Sequence, residues 1–472
     1  MATDVKPNRQ IRPLLGSQRD RAAFSPEKAG RSPAALMIHF FKTGFVRFLS
    51  SSGTIMLSVV LARTMTKEQF GMYSFCMVSL ISLSMVARYG LDAVMLRYAG
   101  SSWHQSDSEK FRGYSFWATN LTTRNAVFFA LAGLLLMWVI GSERWAKAPI
   151  MAWMLLALVP WSLVYTISFI FKSADRAPTG SMFEVGTINH LTWITVVGLT
   201  YFYSQEISAV DVAKIIPICS LLVCGVGLWM LHRSGMWPKQ TEAIQDDRPE
   251  FLDACRSNTV IYIMQMLANL GGVFFLGLTW NNEEVAIFSA PIRLATATIL
   301  LTTIVMLIVA PRLSGLHKSG ETEKFKRTLR WGCVTVAAIN VPILLTLAIS
   351  APWVMMIMPK YADHWYLLSI ICIGQMIGII AGLAPTVMIM TGNDRLWSRA
   401  VVCNSAVCVT ACAVLCYFFG ALGAAIGSAL YQASLNWVAA VLVRKKLGYW
   451  TIPNPIQAIK DLRRIRQPAP AS

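Results

Sequence analysis

Three arginines lie inside long apolar stretches of this sequence, where a charge is costly unless it faces a cavity or a partner. Arg293 follows Pro291 and lies roughly 14 Å inside its segment, counted at 1.5 Å per residue from the nearest polar connection. Such a position predicts a fixed cation in a central cavity, or else a structural partner of a carbonyl or carboxylate. A guanidinium matches phosphate oxygens with forked donors, so the chemistry indicated is anion binding.

Arg47 and Arg88 are the other two candidates. Arg47 lies about two turns into the first apolar segment, where it could either face a cavity or extend to water. Arg88 and Asp92 are four residues apart, so on one helix they would share a face and neutralise each other. We therefore predict a structural Arg88–Asp92 ion pair, with Arg88 as a third phosphate ligand if Asp92 does not engage it.

A polar stripe follows one face of the predicted helix near 256–279. Asn258, Tyr262, Gln265 and Asn269 are spaced by four, three and four residues. A water-filled cavity and interhelical hydrogen bonding explain the stripe equally well. The predicted substrate-binding set is therefore Arg293, Arg47, Arg88, Asn258, Gln265 and Asn269.

Catalytic and metal signatures are missing from the sequence. It has no H-E-x-x-H, no P-loop, no G-x-S-x-G and no deeply placed pair of carboxylates. The ten cysteines lack zinc-site spacing, and most fall inside apolar segments as packing residues. We expect a protein that is not an enzyme and that uses no cofactor or metal.

The elements that position these residues must be membrane helices. Hydrophobic residues make up 55% of the chain and charged residues 14%, with a mean hydropathy of +0.52, so lipid must be the solvent. Runs of roughly 20 apolar residues, long enough to cross about 30 Å of hydrocarbon, predict an all-α membrane protein of about twelve spans. They lie near 39–62, 71–96, 116–141, 149–171, 181–203, 210–231, 256–279, 285–310, 331–350, 366–391, 398–419 and 421–443.

The basic residues test this topology. Most of the 42 lysines and arginines fall in the two tails and the even-numbered connections. The odd-numbered connections carry only Arg63, Lys67, Arg144, Lys147 and Lys360. This positive-inside bias predicts that both termini are cytoplasmic. It also explains the +18 net charge at membrane flanks, so nucleic acid is not an expected partner and membrane lipids are.

Internal similarity predicts two six-helix bundles related by a parallel repeat. The run from Lys67 to Ser74 aligns with that from Asn282 to Ser289, and each opens an even-numbered span. We predict a disordered basic tail at 1–35, an N-terminal bundle at 36–231, a cytoplasmic linker at 232–255, a C-terminal bundle at 256–443 and a basic tail at 444–472.

The run from Leu61 to Ser74, LARTMTKEQFGMYS, followed by ARYGLD at 87–92, resembles the N-terminal signature of the oligosaccharide flippases. These form the polysaccharide-transporter branch of the multidrug/oligosaccharidyl-lipid/polysaccharide (MOP) exporter superfamily. FKSADR at 171–176 and MTGND at 390–394 are similar to short turns of that family. The first thirty-odd residues are more than the family usually shows.

This resemblance implies a V-shaped pair of bundles around a cationic cavity. It implies alternating-access translocation of an undecaprenyl-pyrophosphate-linked oligosaccharide across a bacterial inner membrane, with Arg47 and Arg293 matching cavity arginines. A polysaccharide polymerase and export machinery are the implied protein partners. The alternative is an ion-coupled multidrug or metabolite exporter on the same fold, although cavity arginines would repel its cationic substrates. A membrane polymerase would need a large outer loop, which is absent, and a scaffold would leave Arg293 unexplained.

Overall fold

Every regular element in the described part of the chain is helical. A computed structural model describes residues 33–140, 145–203, 207–296 and 319–457, together with scattered positions between 297 and 318. Residues 1–32 and 458–472, which hold most of the two predicted tails, lie outside the described residues.

The first half consists of eight described helices. They are α1 (Pro33–Thr64), α2 (Lys67–Ala87), α3 (Leu91–His104), α4 (Ser108–Ile140), α5 (Ala148–Ser173), α6 (Ala177–Met182), α7 (Val185–Tyr203) and α8 (Ala209–Arg233). Within this half α5 packs along α4 and α8, and α1 packs along α7.

The second half has seven described helices. They are α9 (Arg248–Thr279), α10 (Asn282–Thr296), α11 (Thr322–Ile349), α12 (Ala351–Met355), α13 (Trp365–Ile380), α14 (Ala384–Met390) and α15 (Asp394–Leu447). Here α15 packs along α9 and α13, and α11 packs along α13. Short 3-10 turns at Glu242–Ile244 and Pro359–His364 precede α9 and α13.

Each predicted span overlaps helix, but the number of crossings stays a prediction. Nine helices among the described residues are long and apolar enough to cross a membrane. The longest of them, Arg395–Leu447, contains the last two predicted spans and bends at Gly420, whose φ of 56° and ψ of −133° are not helical. A two-bundle fold of six crossings each is therefore compatible with the helices seen, and the repeat remains to be tested.

The second predicted span is not one continuous helix. It divides into α2 and α3 at Tyr89 and Gly90, whose φ values of 48° and 68° are left-handed. Gly90 is needed there for a second reason, because a Cβ atom would lie 2.5 Å from the carbonyl oxygen of Cys255 on α9. The sequence did not reveal this break, because the apolar run continues on both sides of it.

Helix α9 begins at Arg248, inside the predicted linker at 232–255, whose bounds stay a prediction. Phe251 is fully buried among the rings of Tyr98, Tyr114 and Trp117, with centroids 5.5–5.7 Å away. These aromatic contacts stabilise the extra helical turns and dock the start of α9 onto the first half.

Polar contacts fix the same junction. The Asp247 carboxylate accepts hydrogen bonds from the Tyr114 hydroxyl at 2.7 Å and from Lys110 Nζ at 3.2 Å. These donors lower the pKa of Asp247 below its usual value, the Tyr114 hydroxyl most of all. The connection between the halves is therefore attached to the first half rather than free.

The two halves meet closely at the end that carries the connection between α1 and α2. Arg63 Nε donates to the carbonyl oxygen of Ile357 at 2.7 Å, and Lys360 Nζ donates to the carbonyl oxygen of Arg63 at 3.0 Å. Lys147 Nζ donates to the carbonyl oxygen of Gly277 at 3.1 Å, across from α5 to α9. These bonds join the halves at this end, which we call the closed end.

Helix α2 also crosses the start of α10 at the closed end. A Cβ atom on Gly71 would lie only 1.7 Å from the carbonyl oxygen of Asn282, so glycine permits the contact. Helices α2 and α10 begin within the two runs that the sequence aligned as repeats, Lys67 to Ser74 and Asn282 to Ser289.

Candidate functional site: a cationic cavity in the second half

Arg293 lines a cavity of 260 Å³ between α9, α10, α13 and α15, which Val78 of α2 also contacts. Its half-buried side chain follows Pro291 inside α10. Neutral polar groups supply the rest of the polar lining, namely Asn269, Ser289, Thr296, Gln375, Ser428, Tyr431 and Gln432. No carboxylate lines the cavity within the part of the chain that the structure describes. Among the described lining residues, Arg293 is therefore the source of charge in a polar site.

Two hydroxyl groups next to Arg293 lack protein partners among the described residues. The Ser289 Oγ atom lines the cavity, and the Tyr73 hydroxyl of α2 lies near enough to Arg293 to interact electrostatically with it. A buried hydroxyl without a partner costs free energy, which a bound ligand could recover by hydrogen bonding. Tyr73 also brings the first half of the chain to the edge of this site.

Side-chain amides connect the helices around the cavity. Gln432 Nε2 on α15 donates to Asn269 Oδ1 on α9 at 3.0 Å. Gln375 Oε1 on α13 accepts a hydrogen bond from Thr298 Oγ1 at 2.8 Å. A smaller cavity of 150 Å³ shares Gln375 and Gln432 and adds Asn436 to its lining. The polar surface therefore continues past Arg293 along the second half.

Sequence reasoning missed the contribution of α13 and α15 to this surface. Ser428, Gln432 and Asn436 are spaced by four residues, so they form a stripe on α15 like the one predicted on α9. That spacing was an available signal. Gln375 stands alone in an apolar helix and gave no periodic pattern.

The predicted polar stripe of α9 does not line a single cavity. Asn269 reaches the Arg293 site, where it both lines the cavity and bonds to another helix. Gln265 is not among the lining residues, although its carbonyl oxygen accepts from Asn269 Nδ2 at 2.8 Å. Asn258 donates to the carbonyl oxygen of Ala254 at 2.9 Å within its own helix. Of the stripe, only Asn269 reaches the Arg293 cavity.

Arg88 is held by the first half of the chain. Its Nη1 atom lies 3.1 and 2.9 Å from the two oxygens of Asp92, and its Nε atom donates to the carbonyl oxygen of Ser84 at 3.3 Å. The guanidinium also covers the Tyr165 ring at 4.0 Å, and only 6% of the side chain is exposed. The structure places the predicted ion pair here and offers Arg88 little freedom to bind a phosphate.

Helix geometry differs from the expectation behind that ion pair. Arg88 is the C-cap of α2, whereas Asp92 lies in the first turn of α3, so the two residues do not share one continuous helix. The left-handed residues Tyr89 and Gly90 turn the chain so that the carboxylate still reaches the guanidinium. The four-residue spacing indicated the contact between Arg88 and Asp92, but the left-handed turn between α2 and α3 produces it.

Arg47 lies in a separate charged cluster. Its Nε atom is 3.8 Å from Glu184 Oε2, and Lys172 Nζ donates to the other oxygen of Glu184 at 2.8 Å. The Arg47 side chain is 35% exposed, against 16% for Glu184 and 17% for Lys172. Two cations therefore share one carboxylate. Glu184 was not predicted as a partner because it lies far along the chain, in the connection between α6 and α7.

Arg293 and Arg47 are not brought together in this conformation, since Arg47 does not line the Arg293 cavity. Among the described residues no group of three His, Cys, Asp or Glu side chains could hold a metal ion. The arrangement offers anion binding at Arg293, with a second cationic cluster in the other half.

No protein-family model matches the chain. A curated relative from Escherichia coli (strain K12), named "Putative O-antigen transporter", is 21% identical over 258 residues. The match covers 54% of this chain and 59% of the relative, so the chain spans less than two thirds of the relative's length.

Solved structures match over most of the chain. A MOP superfamily transporter from Pyrococcus furiosus, described as having a binding pocket of reverse polarity that suggests a different function, gives a TM-score of 0.65 at 12% identity, covering 92% of this chain and 99% of that one. The lipid II flippase MurJ, inward closed, gives 0.65 at 12%, covering 86% and 87%. An inward-facing multidrug resistance MATE family transporter gives 0.64 at 11%, covering 86% and 98%.

At these identities the structural likeness shows the fold alone, and that fold is the one of the MOP exporter superfamily. The predicted resemblance to the superfamily is thereby confirmed at the level of the fold. The relatives are transporters or flippases by name, in line with the prediction that this protein is not an enzyme.

Proposed function

We propose that this protein, which has the fold of the MOP exporter superfamily, is a flippase for an undecaprenyl-pyrophosphate-linked oligosaccharide. It would translocate the repeat unit across a bacterial inner membrane for surface or exopolysaccharide synthesis. The observation that carries the proposal is Arg293, a half-buried cation in a polar cavity whose described lining contains no carboxylate.

The chemistry of the site suits a phosphorylated headgroup. A pyrophosphate cannot cross hydrocarbon unassisted, and an arginine gives it charge together with forked donors. The 260 Å³ cavity is of a size for such an anion rather than for a whole oligosaccharide. The amides of Gln375, Gln432 and Asn436 can hydrogen-bond sugar hydroxyls beyond it, while the polyprenyl chain stays in lipid.

Transport by alternating access requires that one end of the protein be closed while the other is open. In the proposed orientation both termini are cytoplasmic, and the closed end faces the outside. The inner side would then receive the substrate first, with Arg47 and Lys172, which share Glu184, offering a cationic approach. A polymerase and export machinery would take the flipped unit afterwards.

The rival reading is an ion-coupled exporter of cationic compounds. The sign of the Arg293 cavity disfavours it, because an unneutralised arginine repels cations and no described carboxylate is placed there to attract them. The multidrug transporters among the structural neighbours share the fold and do not by themselves favour that activity.

Reconstituted transport tests the proposal directly. Full-length protein in proteoliposomes would be given a fluorescent undecaprenyl-pyrophosphate-linked sugar and, separately, the same lipid lacking the pyrophosphate. We expect wild-type protein to flip the first and not the second. Arg293→Ala should slow flipping at least roughly thirtyfold, since a buried contact to a charged group is lost. Arg293→Lys should retain part of the rate, because lysine keeps the positive charge but lacks the paired donors of a guanidinium.

Arg233→Ala is the matched control, because Arg233 covers the Trp229 ring at 5.3 Å at the end of α8 and does not line the cavity. It should flip normally. Full activity in Arg293→Ala would remove Arg293 from the mechanism. Efflux of a cationic dye by wild-type protein, without flipping of the pyrophosphate lipid, would instead establish the rival function.

A further inference from the structure

A second basic cavity lies at the other end of the second half, away from the closed end. Its volume is 480 Å³, and Lys326, Arg330 and Arg444 provide its basic lining. Tyr449 and Trp450 add aromatic walls, and no carboxylate lines it among the described residues. None of these residues lines the Arg293 cavity, so this site is independent of the proposed transport site.

The walls of this cavity are fixed by contacts. The Arg444 guanidinium lies 5.7 Å from the Trp450 ring centroid and donates to the carbonyl oxygen of Gly448 at 3.0 Å. Thr451 is buried and donates to the carbonyl oxygen of Ala381 at 2.6 Å. The segment that follows α15 therefore docks back onto the second half and encloses the basic side chains.

An internal sequence match identifies the equivalent corner of the first half. SEKFR at 108–112 opens α4, and TEKFK at 322–326 opens α11. Helices α8 and α15 likewise end in similar ways, since Gly235 and Gly448 follow them with φ values of 70° and 80°. Lys326 therefore corresponds to Arg112, and the two corners can be compared side chain by side chain.

In the first half the protein fills this corner itself. Arg112 donates from Nε and Nη2 to the carbonyl oxygen of Gly235 at 3.0 and 2.8 Å. The following chain returns along α4, with Ile244 fully buried and Asp247 paired with Lys110 at 3.2 Å. The chain thus fills this corner and satisfies Arg112 with a carbonyl oxygen, while Asp247 neutralises Lys110.

In the second half Lys324, which corresponds to Lys110, is paired with Glu321, but the described residues do not fill the corner beside Lys326. Lys326 lies 3.2 Å from Glu323, an 82% exposed carboxylate outside the cavity lining. We infer that this corner binds a phosphate group, which contacts Lys326 and Arg444 in the space that the chain itself fills in the first half. Basic pockets at membrane flanks suit the headgroup of an anionic phospholipid. Leu329 and Ile452 beside the cations suit an amphiphile, and a free phosphorylated solute carries the same chemistry.

Lipid binding to the purified full-length protein tests this inference. Native mass spectrometry would measure the binding of cardiolipin, phosphatidylglycerol and phosphatidylcholine, and calorimetry would measure inorganic pyrophosphate. We expect the anionic lipids to bind and phosphatidylcholine not to. The double variant Lys326→Ala/Arg444→Ala should weaken their binding about thirtyfold. Pyrophosphate binding with the same loss, and no lipid preference, would assign the site to a free solute.

Lys445→Ala/Lys446→Ala is the matched control, because it removes the same charge from exposed residues of the same helix end that do not line the cavity. It should change binding less than about threefold, at the level of general surface attraction. Equal losses in the two double variants would overturn the inference. Lys326→Arg/Arg444→Lys should restore binding, which separates lost charge from lost folding. Because the site is separate from Arg293, either proposal can fail without the other.

Discussion

The arginines Arg88 and Arg47 of the first half and Arg293 of the second half have different surroundings. In the first half Arg88 lies against Asp92 at 2.9 Å, and Arg47 and Lys172 share Glu184. In the second half Arg293 faces amides and hydroxyls in its cavity, without a described carboxylate. A charge neutralised by its own chain fixes local structure, whereas a charge among neutral donors and acceptors keeps its attraction for a ligand. We therefore propose that the paired charges of the first half stabilise the fold and that Arg293 in the second half binds the anion.

The largest expected effect is on stability, and it separates Arg88 from Arg293. Arg88→Met leaves the mostly buried Asp92 carboxylate without its partner, so we expect a loss of about 3–5 kcal/mol in the free energy of unfolding. Arg293→Met removes a charge that has no described carboxylate partner, so stability should change by less than about 1 kcal/mol while flipping is lost. Denaturation in detergent micelles measures both.

A paired change provides the control for Arg88. Arg88→Met/Asp92→Leu removes both charges of the pair, and it should recover most of the stability lost in Arg88→Met. The comparison between the halves would break if Arg293→Met unfolded as readily as Arg88→Met. Arg293 would then have a structural partner, and its availability to an anion would no longer follow.

The next effect concerns the amides that take the place of ion pairs in the second half. Gln432→Leu leaves Asn269 Oδ1 without its donor on α15, so we expect a loss of about 1–3 kcal/mol in the free energy of unfolding. Flipping should also slow, because Gln432 lines both polar cavities. Denaturation and proteoliposome flipping measure the two effects.

Gln265→Leu is the control for that change, since Gln265 lies on the same polar stripe of α9 but does not line the Arg293 cavity. It should affect stability and flipping less than Gln432→Leu does. Equal effects would show that the polar stripe of α9 contributes along its whole length, as a water-filled cavity beside the stripe would predict.

Sequence reasoning located Arg293 and Asn269 for physical reasons that hold in the structure. A charge far inside an apolar run needs a polar surrounding, and helical spacing puts polar residues on one face. The helix breaks at Gly90 and Gly420 were harder to predict, because an apolar run continues through a local left-handed turn. Only the break at Gly420 was predicted.

Contacts between distant segments could not be predicted. Glu184 reaches Arg47 across 137 residues, and Gln432 reaches Asn269 across 163, and neither pairing leaves a local pattern. The match of 108–112 with 322–326 was readable, however, and it identifies the equivalent corners of the halves. Repeats reveal corresponding positions, whereas packing decides which of them are filled.

The smallest expected effect is at Glu184, and it sharpens the comparison most. Glu184→Gln leaves Arg47 and Lys172 without their shared carboxylate, which makes the first half resemble the second. Losing the 2.8 Å contact with Lys172 should cost about 1–2 kcal/mol of stability. The pyrophosphate lipid should nevertheless bind about threefold more tightly, because Glu184 no longer competes for the cations.

Glu250→Gln is the matched control for Glu184→Gln, since Glu250 accepts from the Tyr98 hydroxyl and contacts neither cation. Titration of the lipid against both variants measures the change. Weaker binding in Glu184→Gln alone would mean that Glu184 positions Arg47 for the substrate, and that the carboxylates of the first half take part in binding rather than only neutralising charge.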